Sequence, residues 1–108
     1  MTILIKDGHI LNPATGMNEV ADLYIEDGKV KEIGKNCKKI ADETIEAKGC
    51  YVMPGFIDMH VHFRDPGLEQ KEDIYTGMQA AAHGGYTTVM AMPNTKPVVD
   101  NPDVVRYV

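Results

Sequence analysis

Residues 56–62 have the sequence Phe56-Ile57-Asp58-Met59-His60-Val61-His62, an apolar run interrupted by one aspartate and two histidines. A short run of this composition predicts a β-strand buried on both faces, as in a parallel sheet. Successive side chains of a strand point to opposite faces, so we expect His60 and His62 to share one face. Two imidazoles aimed at one point are preferred ligands of zinc and similar metals.

Arg64 continues this alternation two residues beyond the second histidine. A fixed positive charge beside a metal suits a substrate that has a hydrolysable bond and a carboxylate. A lone histidine on a strand is more often a hydrogen-bonded core residue, but the spacing His60, His62, Arg64 favours the ligand interpretation. Asp58 has two interpretations that stay open: a carboxylate that orients a liganding imidazole, or one satisfied by backbone amides.

The residues after this strand predict a βαβ unit. The pattern from Lys71 to Ala82 is helical and stops at Gly84-Gly85, and Tyr86 to Met92 forms a second apolar strand. The two strands are expected to be parallel, with a right-handed crossover. Asn94 follows the second strand at the same sheet edge, so Arg64 and Asn94 are expected to converge on one anionic group.

A second helix is predicted to start at Asp100-Asn101-Pro102-Asp103, because proline suits the first turn and Asx residues cap it. A single βαβ unit leaves the faces of its own sheet uncovered, whereas parallel sheets are buried on both faces. We therefore expect the chain to be a fragment of a longer one rather than a module completed by a partner.

The N-terminal half predicts a small antiparallel β unit. Asp7-Gly8 and Asp27-Gly28 each separate two apolar or alternating runs, which is a strong hairpin signal. Short strands are also predicted at residues 44–47 and 51–53. The character changes near Met53-Pro54, so we divide the chain into an N-terminal β portion, residues 1–53, and the βαβ unit, residues 54–108.

Composition narrows the class of protein. The 108 residues are 44% hydrophobic and carry a formal net charge of −5, which makes nucleic-acid binding through a basic surface an unfavoured interpretation. Cys37 and Cys50 are far apart and fit reduced thiols, and His9 and His83 fit structural roles. With no signal peptide or membrane-spanning run in these residues, a cytoplasmic protein is expected.

These residues also carry a resemblance. The segment from Val52 to His62 resembles the first barrel strand of the amidohydrolase superfamily, with its H-x-H metal pair. Within that superfamily the chain resembles the dihydroorotases over most of its length, in the segments His60-Val61-His62-Phe63-Arg64-Asp65-Pro66-Gly67, Lys71-Glu72-Asp73, residues 80–89 and Met92-Pro93-Asn94-Thr95-Lys96-Pro97. Allantoinases and hydantoinases share H-x-H, but do not usually combine it with this arginine and this asparagine segment.

The resemblance implies an α/β fold: the N-terminal part of a (β/α)8 TIM-barrel metal-dependent hydrolase, preceded by a small antiparallel β-sandwich segment. Such a barrel needs about 250 residues, so the chain would supply roughly its first quarter. The implied activity is the zinc-dependent interconversion of N-carbamoyl-L-aspartate and dihydroorotate in pyrimidine biosynthesis. His60 and His62 would bind one metal of a zinc pair, and Arg64 and Asn94 would hold the substrate carboxylate.

The rest of such a site would come from beyond Val108. The resemblance implies a bridging carboxylate (a carbamylated lysine or an aspartate), two further histidines and a late-strand aspartate that shuttles the proton. No catalytic residue is therefore assigned within this chain, and we expect the 108 residues alone to be inactive and to bind zinc weakly.

Two alternatives remain open at this stage. One is an allantoinase-like or hydantoinase-like cyclic amidohydrolase, which shares the metals but does not need a carboxylate clamp. The other is a non-catalytic interaction module. The expected partners are the small-molecule substrate, with no nucleic acid and no membrane, and either a second copy in a homodimer or an aspartate transcarbamoylase. The intact His60, His62 and Arg64 favour the enzyme over the interaction module.

Overall fold

The computed structural model describes all residues from Met1 to Val108. The chain forms two compact units, Met1–Pro54 and Gly55–Val108. Each unit has its own sheet, with five strands in the first and two in the second. The division therefore separates the N-terminal strands from the segment that contains both histidines of the H-x-H pair.

The first unit is a mixed sheet of five strands. They are β1 (Thr2–Asn12), β2 (Met17–Glu26), β3 (Lys29–Gly34), β4 (Glu43–Glu46) and β5 (Tyr51–Val52). Strand β1 pairs antiparallel with β2, and β2 pairs antiparallel with β3, but β4 and β5 pair parallel with β1. The prediction of an antiparallel unit is therefore wrong for β4 and β5, because the chain crosses from β3 to the far edge of β1 before it pairs again.

The two Asp-Gly pairs have different structures. Asp27 and Gly28 both have positive φ, 50° and 72°, and connect β2 to β3, which confirms the second predicted hairpin. Asp7 has φ 56°, but β1 continues through it, and the register with β2 shifts between Ile5 and Gly8. The first predicted hairpin is therefore wrong, because Asp7 forms a bulge inside one long strand.

The core of the first unit lies on β1 and β2. Ile10, Ala21 and Leu23 are buried together, and the half-buried side chains packed around them are Ile5, Met17, Ile25 and Val52. On β2, Asp22 and Tyr24 are buried as well, so both faces of this strand are covered. Residues from the segment after β3 contribute to that cover, since Asp22 accepts a hydrogen bond from the backbone N–H of Cys37 at 2.8 Å.

The second unit has the predicted βαβ order. Its elements are β6 (Phe56–Val61), α1 (Ile74–His83), β7 (Tyr86–Ala91) and α2 (Pro102–Tyr107). Strands β6 and β7 pair parallel, which confirms that prediction, and one extra residue of β6 forms a bulge between Asp58 and Val61. The expectation that β6 is buried on both faces is not met within this chain. Ile57 and Met59 are 66% and 67% exposed, because no helix of this unit packs against β6 and its only contacting element is β7.

Capping residues set the start of both helices. Helix α1 starts at Ile74 rather than at the predicted Lys71, because Asp73 accepts from the backbone N–H of Thr76 at 2.7 Å and so caps the first turn. It ends at His83, before Gly84-Gly85 as predicted. Asn101 caps α2 and Pro102 occupies its first turn, which confirms that start. Neither helix has the length and apolarity needed to cross a membrane.

Candidate metal centre

His60 and His62 come together at the carboxyl end of β6. His60 lies in the strand, within the bulge between Asp58 and Val61, and His62 is the first residue beyond the strand end at Val61. Their ring centroids are 5.1 Å apart with an angle of 62° between the ring planes. Strand alternation alone predicted this pairing, although a bulge and a strand end lie within the three residues concerned.

The pair of rings has a spacing that suits a shared metal ion. Two imidazoles bound to one tetrahedral metal at about 2.0–2.1 Å place their ring centroids about 5 Å apart. The donor type also fits zinc, since imidazole nitrogen is one of its usual ligands. The chain supplies these two imidazoles only, because no group of three or more His, Cys, Asp or Glu side chains is arranged to hold a metal.

Asn94 contacts the second histidine of the pair. It follows β7 by three residues, and its Oδ1 lies 2.9 Å from His62 Nδ1. The backbone N–H of Met92 donates to the carbonyl oxygen of Val61 at 2.8 Å, which holds the two chain segments together just before these residues. An amide oxygen can only accept, so Nδ1 is the donor in this contact, and a neutral His62 ring would then have its lone pair on Nε2.

Asp58 fits the second of its two predicted roles, a carboxylate satisfied by backbone amides. Its Oδ1 accepts a hydrogen bond from the backbone N–H of His60 at 3.0 Å. The carboxylate therefore satisfies a backbone amide at the bulge, where the regular ladder with β7 is interrupted. It supports the position of His60 through the main chain rather than through the imidazole ring.

Arg64 lies in a loop, not on the strand. Strand β6 ends at Val61, and Arg64 has φ 68°, in the left-handed region. The prediction that Arg64 continues the strand alternation is therefore wrong, because the backbone has left the pleat three residues earlier. Its guanidinium takes part in none of the salt bridges of the chain, which join Met1 to Asp27, Lys35 to Glu19 and Arg106 to Asp103.

The loop that carries Arg64 contacts the loop that carries Asn94. The backbone N–H of Lys96 donates to the carbonyl oxygen of Pro66 at 2.9 Å. Gly67 has φ 88°, and a Cβ atom there would collide with the Lys96 carbonyl oxygen, so only glycine allows the loops to approach this closely. Arg64 and Asn94 each lie two residues before one of the bonded groups, which keeps them at the same edge of the sheet.

Two anchors of these loops had no clear signal in the sequence. Tyr107 Oη donates to Asp65 Oδ1 at 2.9 Å, across 42 residues of chain. This hydrogen bond, together with the negative charge of Asp65, raises the pKa of Tyr107. Thr95 is buried, and its hydroxyl donates to the carbonyl oxygen of Pro97 at 2.7 Å. Both contacts depend on how α2 and the loop after β7 fold back, which local spacing does not encode.

Comparison with known proteins identifies the family. The sequence profile of a family described as dihydro-orotase-like matches residues 49–108, which is more than half of the chain. The chain belongs to the dihydro-orotase-like family. The matched region of this dihydro-orotase-like chain contains His60, His62, Arg64 and Asn94, and all of the second unit.

Relatives and solved structures agree with this assignment. A dihydroorotase of Trichlorobacter lovleyi is 53% identical over 109 residues, covering 100% of this chain and 26% of that protein. A dihydroorotase of Geobacter metallireducens is 54% identical over the same shares. An L-hydantoinase (dihydropyrimidinase) from Arthrobacter aurescens superimposes with a TM-score of 0.85 and 34% identity, over 97% of this chain and 23% of that one. The dihydro-orotase-like chain thus spans about a quarter of the length of the curated relatives it matches.

The other candidate side chains of this dihydro-orotase-like chain have local partners or none. His9 Nε2 lies 2.6 Å from Asn18 Oδ1 in the first unit. His83 is the last residue of α1, an end of the helix where a positively charged side chain would complement the helix dipole. Cys37 and Cys50 are free thiols. None of these four residues belongs to a group of metal-binding side chains.

Proposed function

We propose that the protein containing this chain is a dihydroorotase, a zinc-dependent cyclic amidohydrolase that interconverts N-carbamoyl-L-aspartate and dihydroorotate in pyrimidine biosynthesis. The observation that carries the proposal is the ring pair of His60 and His62, 5.1 Å apart, with Asn94 hydrogen-bonded to His62 at the adjacent strand end. The dihydroorotases named above match the chain over its whole length, which supports the same reaction.

The proposal gives the four site residues two tasks. His60 and His62 bind one zinc ion of a pair through ring nitrogens, and their ring centroids lie 5.1 Å apart. Arg64 and Asn94 hold the substrate carboxylate, the guanidinium by paired N–H donors and the amide by its NH2 group. The absence of an ion-pair partner for Arg64 and the contact between the two loops support this division of work.

The chemistry divides between the metal and the protein. When bound, zinc polarises a carbonyl oxygen and lowers the pKa of a water molecule. The residues of this chain orient the substrate by its carboxylate, so that the cyclic amide bond faces the metal side of the site. The bridging ligand, the remaining histidines and the aspartate that moves the proton are proposed to come from the part of the protein after Val108.

We extend the proposal to the fold of the whole protein. Residues 1–53 would belong to a β portion that precedes the barrel, and residues 54–108 would form the first βαβ unit of a (β/α)8 barrel. The parallel pairing of β6 and β7, and the exposed apolar side chains of β6, support this extension, because barrel strands pair parallel and are covered on both faces. The proposed location is the cytoplasm, as a homodimer or with an aspartate transcarbamoylase.

A second candidate function is supported by the structural comparison. The superposition on the L-hydantoinase from Arthrobacter aurescens favours hydrolysis of a cyclic amide that lacks a carboxylate. The two candidates share the histidine pair and differ in the use of Arg64 and Asn94. A clamp for a carboxylate has a function only if the substrate carries one.

The test is an assay of the purified full-length protein with zinc bound. Hydrolysis of dihydroorotate and its formation from N-carbamoyl-L-aspartate, with little turnover of hydantoin or allantoin, are the expected results. His60→Ala and His62→Ala are expected to lower the zinc content, while His83→Ala is the matched control and should leave it unchanged. Turnover of hydantoin in preference to dihydroorotate would establish the second candidate instead. The 108-residue chain alone is expected to show no turnover.

A further inference from the structure

We propose that Asn94 has two simultaneous partners: its Oδ1 fixes the tautomer of His62, while its NH2 group receives the substrate carboxylate. The inference rests on the proposed function for the second partner and on the geometry of this chain for the first. Asn94 is then a positioning residue for a metal ligand as well as a substrate contact. One side chain then contributes both to metal binding, through His62, and to substrate binding.

The atoms in contact determine which ring nitrogen of His62 carries the proton. Asn94 Oδ1 is an acceptor, and it lies 2.9 Å from His62 Nδ1. A neutral imidazole carries its proton on one nitrogen only, so a proton held on Nδ1 leaves the lone pair on Nε2. Histidines that bind metals usually donate their other N–H to an oxygen in this way, which fixes the ring and increases its basicity.

Hydrogen bonds of the neighbouring residue help to fix the position of Asn94. The next residue, Thr95, is 6% exposed, and its hydroxyl donates to the Pro97 carbonyl oxygen at 2.7 Å. The backbone N–H of Thr95 donates to the Pro93 carbonyl oxygen at 2.9 Å. These bonds hold the backbone on either side of Asn94, so its side chain needs little rearrangement to meet His62.

The two partners of Asn94 do not compete for the same atom. The oxygen is engaged by the His62 ring, which leaves both amide hydrogens available as donors. Replacing the amide by a carboxylate separates the two tasks, since a carboxylate still accepts from Nδ1–H but cannot donate to another carboxylate. Replacing it by a methyl group removes both tasks.

The chain provides a matched control pair. His9 Nε2 lies 2.6 Å from Asn18 Oδ1, so the first unit contains a histidine–asparagine contact of the same chemical type. His9 lies on β1 and Asn18 on the adjacent β2, and neither belongs to a group of metal-binding side chains. Asn18→Ala therefore removes an equivalent hydrogen bond without touching the proposed site.

The experiment compares Asn94→Ala, Asn94→Asp and Asn18→Ala in the full-length protein. The zinc dissociation constant is measured by competition with a chelator, and KM is measured for dihydroorotate. Asn94→Ala is expected to weaken zinc binding about 10–100-fold, the usual effect of losing the oxygen partner of a metal-binding histidine. Asn94→Asp is expected to keep zinc affinity within about threefold while KM rises about tenfold or more. Asn18→Ala should change neither.

A second measurement does not depend on turnover or on the alanine variant folding. Nitrogen-15 NMR of the metal-free wild-type protein at about pH 8, where histidines are ordinarily neutral, reports which ring nitrogen of His62 carries the proton. A proton on Nδ1 is expected; a proton on Nε2 overturns the inference. Unchanged zinc affinity in Asn94→Ala, or an equal loss in Asn94→Asp and Asn94→Ala, overturns it too. If dihydroorotate is not turned over but zinc affinity and tautomer follow the expected pattern, the proposed function fails and the role of Asn94 toward His62 stands.

Discussion

The ring of Phe63 lies directly against Gly77 of α1, where a Cβ atom would come 2.5 Å from Phe63 Cδ1. Glycine is a poor helix former, yet Gly77 is the buried residue of α1. Its lack of a side chain lets the helix approach Phe63, which lies between His62 and Arg64. The packing of α1 therefore helps to position the two residues on either side of Phe63.

Gly77→Ala is expected to destabilise the protein by about 1–3 kcal/mol, although alanine favours helix formation, because the added methyl group overlaps the Phe63 ring. The measurement is the free energy of unfolding of the full-length protein in denaturant. In a Phe63→Leu background the same substitution is expected to cost less, since the ring atoms in question are gone. Equal costs in both backgrounds would show that the contact with Phe63 does not set the effect.

Asp22→Ala is expected to destabilise the protein by about 2–4 kcal/mol, because two backbone N–H groups lose a charged acceptor inside the first unit. Asp22 is 3% exposed and accepts from Asp7 N at 2.9 Å and from Cys37 N at 2.8 Å. Glu19→Ala is the control, since its ion pair with Lys35 is exposed and contributes little. Similar losses from the two substitutions, measured by denaturant unfolding, would contradict the structural role given to Asp22.

The stability that Asp73 adds is expected to disappear in acid. The backbone N–H and then the hydroxyl of Thr76 hold the pKa of Asp73 below its ordinary value of 3.8. A carboxylate whose pKa is lower in the folded protein stabilises it above the unfolded pKa, and this contribution is lost as the pH falls through the folded pKa. Asp73→Asn keeps an oxygen acceptor but no charge. Its Tm should be lower than that of wild type at neutral pH, and the difference should vanish below the folded pKa. A difference that stays constant between about pH 7 and pH 2 would refute this.

Arg64→Met is expected to raise KM for dihydroorotate about 10–100-fold, because the proposed charge-assisted clamp on the substrate carboxylate would be lost. KM for an uncharged cyclic imide should rise only a few-fold. Arg106→Met is the matched control, since Arg106 pairs with Asp103 on α2. The comparison uses steady-state kinetics of the full-length protein with both substrates. If both substrates suffer equally, the assignment of Arg64 to the carboxylate fails.

Much of the second unit could be predicted from sequence because its signals are local. The apolar run with His60 and His62, the Asx-Pro start of α2 and the glycines after α1 each determine structure within a few residues. The position of Arg64 could not be predicted this way. Its strand ends at Val61 because the chain turns to meet the loop after β7, and that contact involves residues more than twenty positions away.

The two Asp-Gly pairs show the same limit within the first unit. Both satisfy the local rule for a hairpin, and only Asp27-Gly28 forms one. At Asp7 the backbone N–H is taken by the buried carboxylate of Asp22, and at Gly8 a Cβ atom would lie 2.5 Å from Val52 Cγ2 on the neighbouring parallel strand. Tertiary partners therefore replace the turn with a bulge, and neither partner is visible in the dipeptide.

The unpaired edges of β6 and β7 affect the solubility of the 108-residue chain. Each strand has one edge with no hydrogen-bonded neighbour, and Ile57, Met59 and Met90 are exposed beside those edges. Free edges with apolar side chains attract strands from other molecules. A preparation of these 108 residues is therefore expected to be limited by aggregation at high concentration, beginning in residues 55–108, rather than by melting of the sheet in residues 1–54.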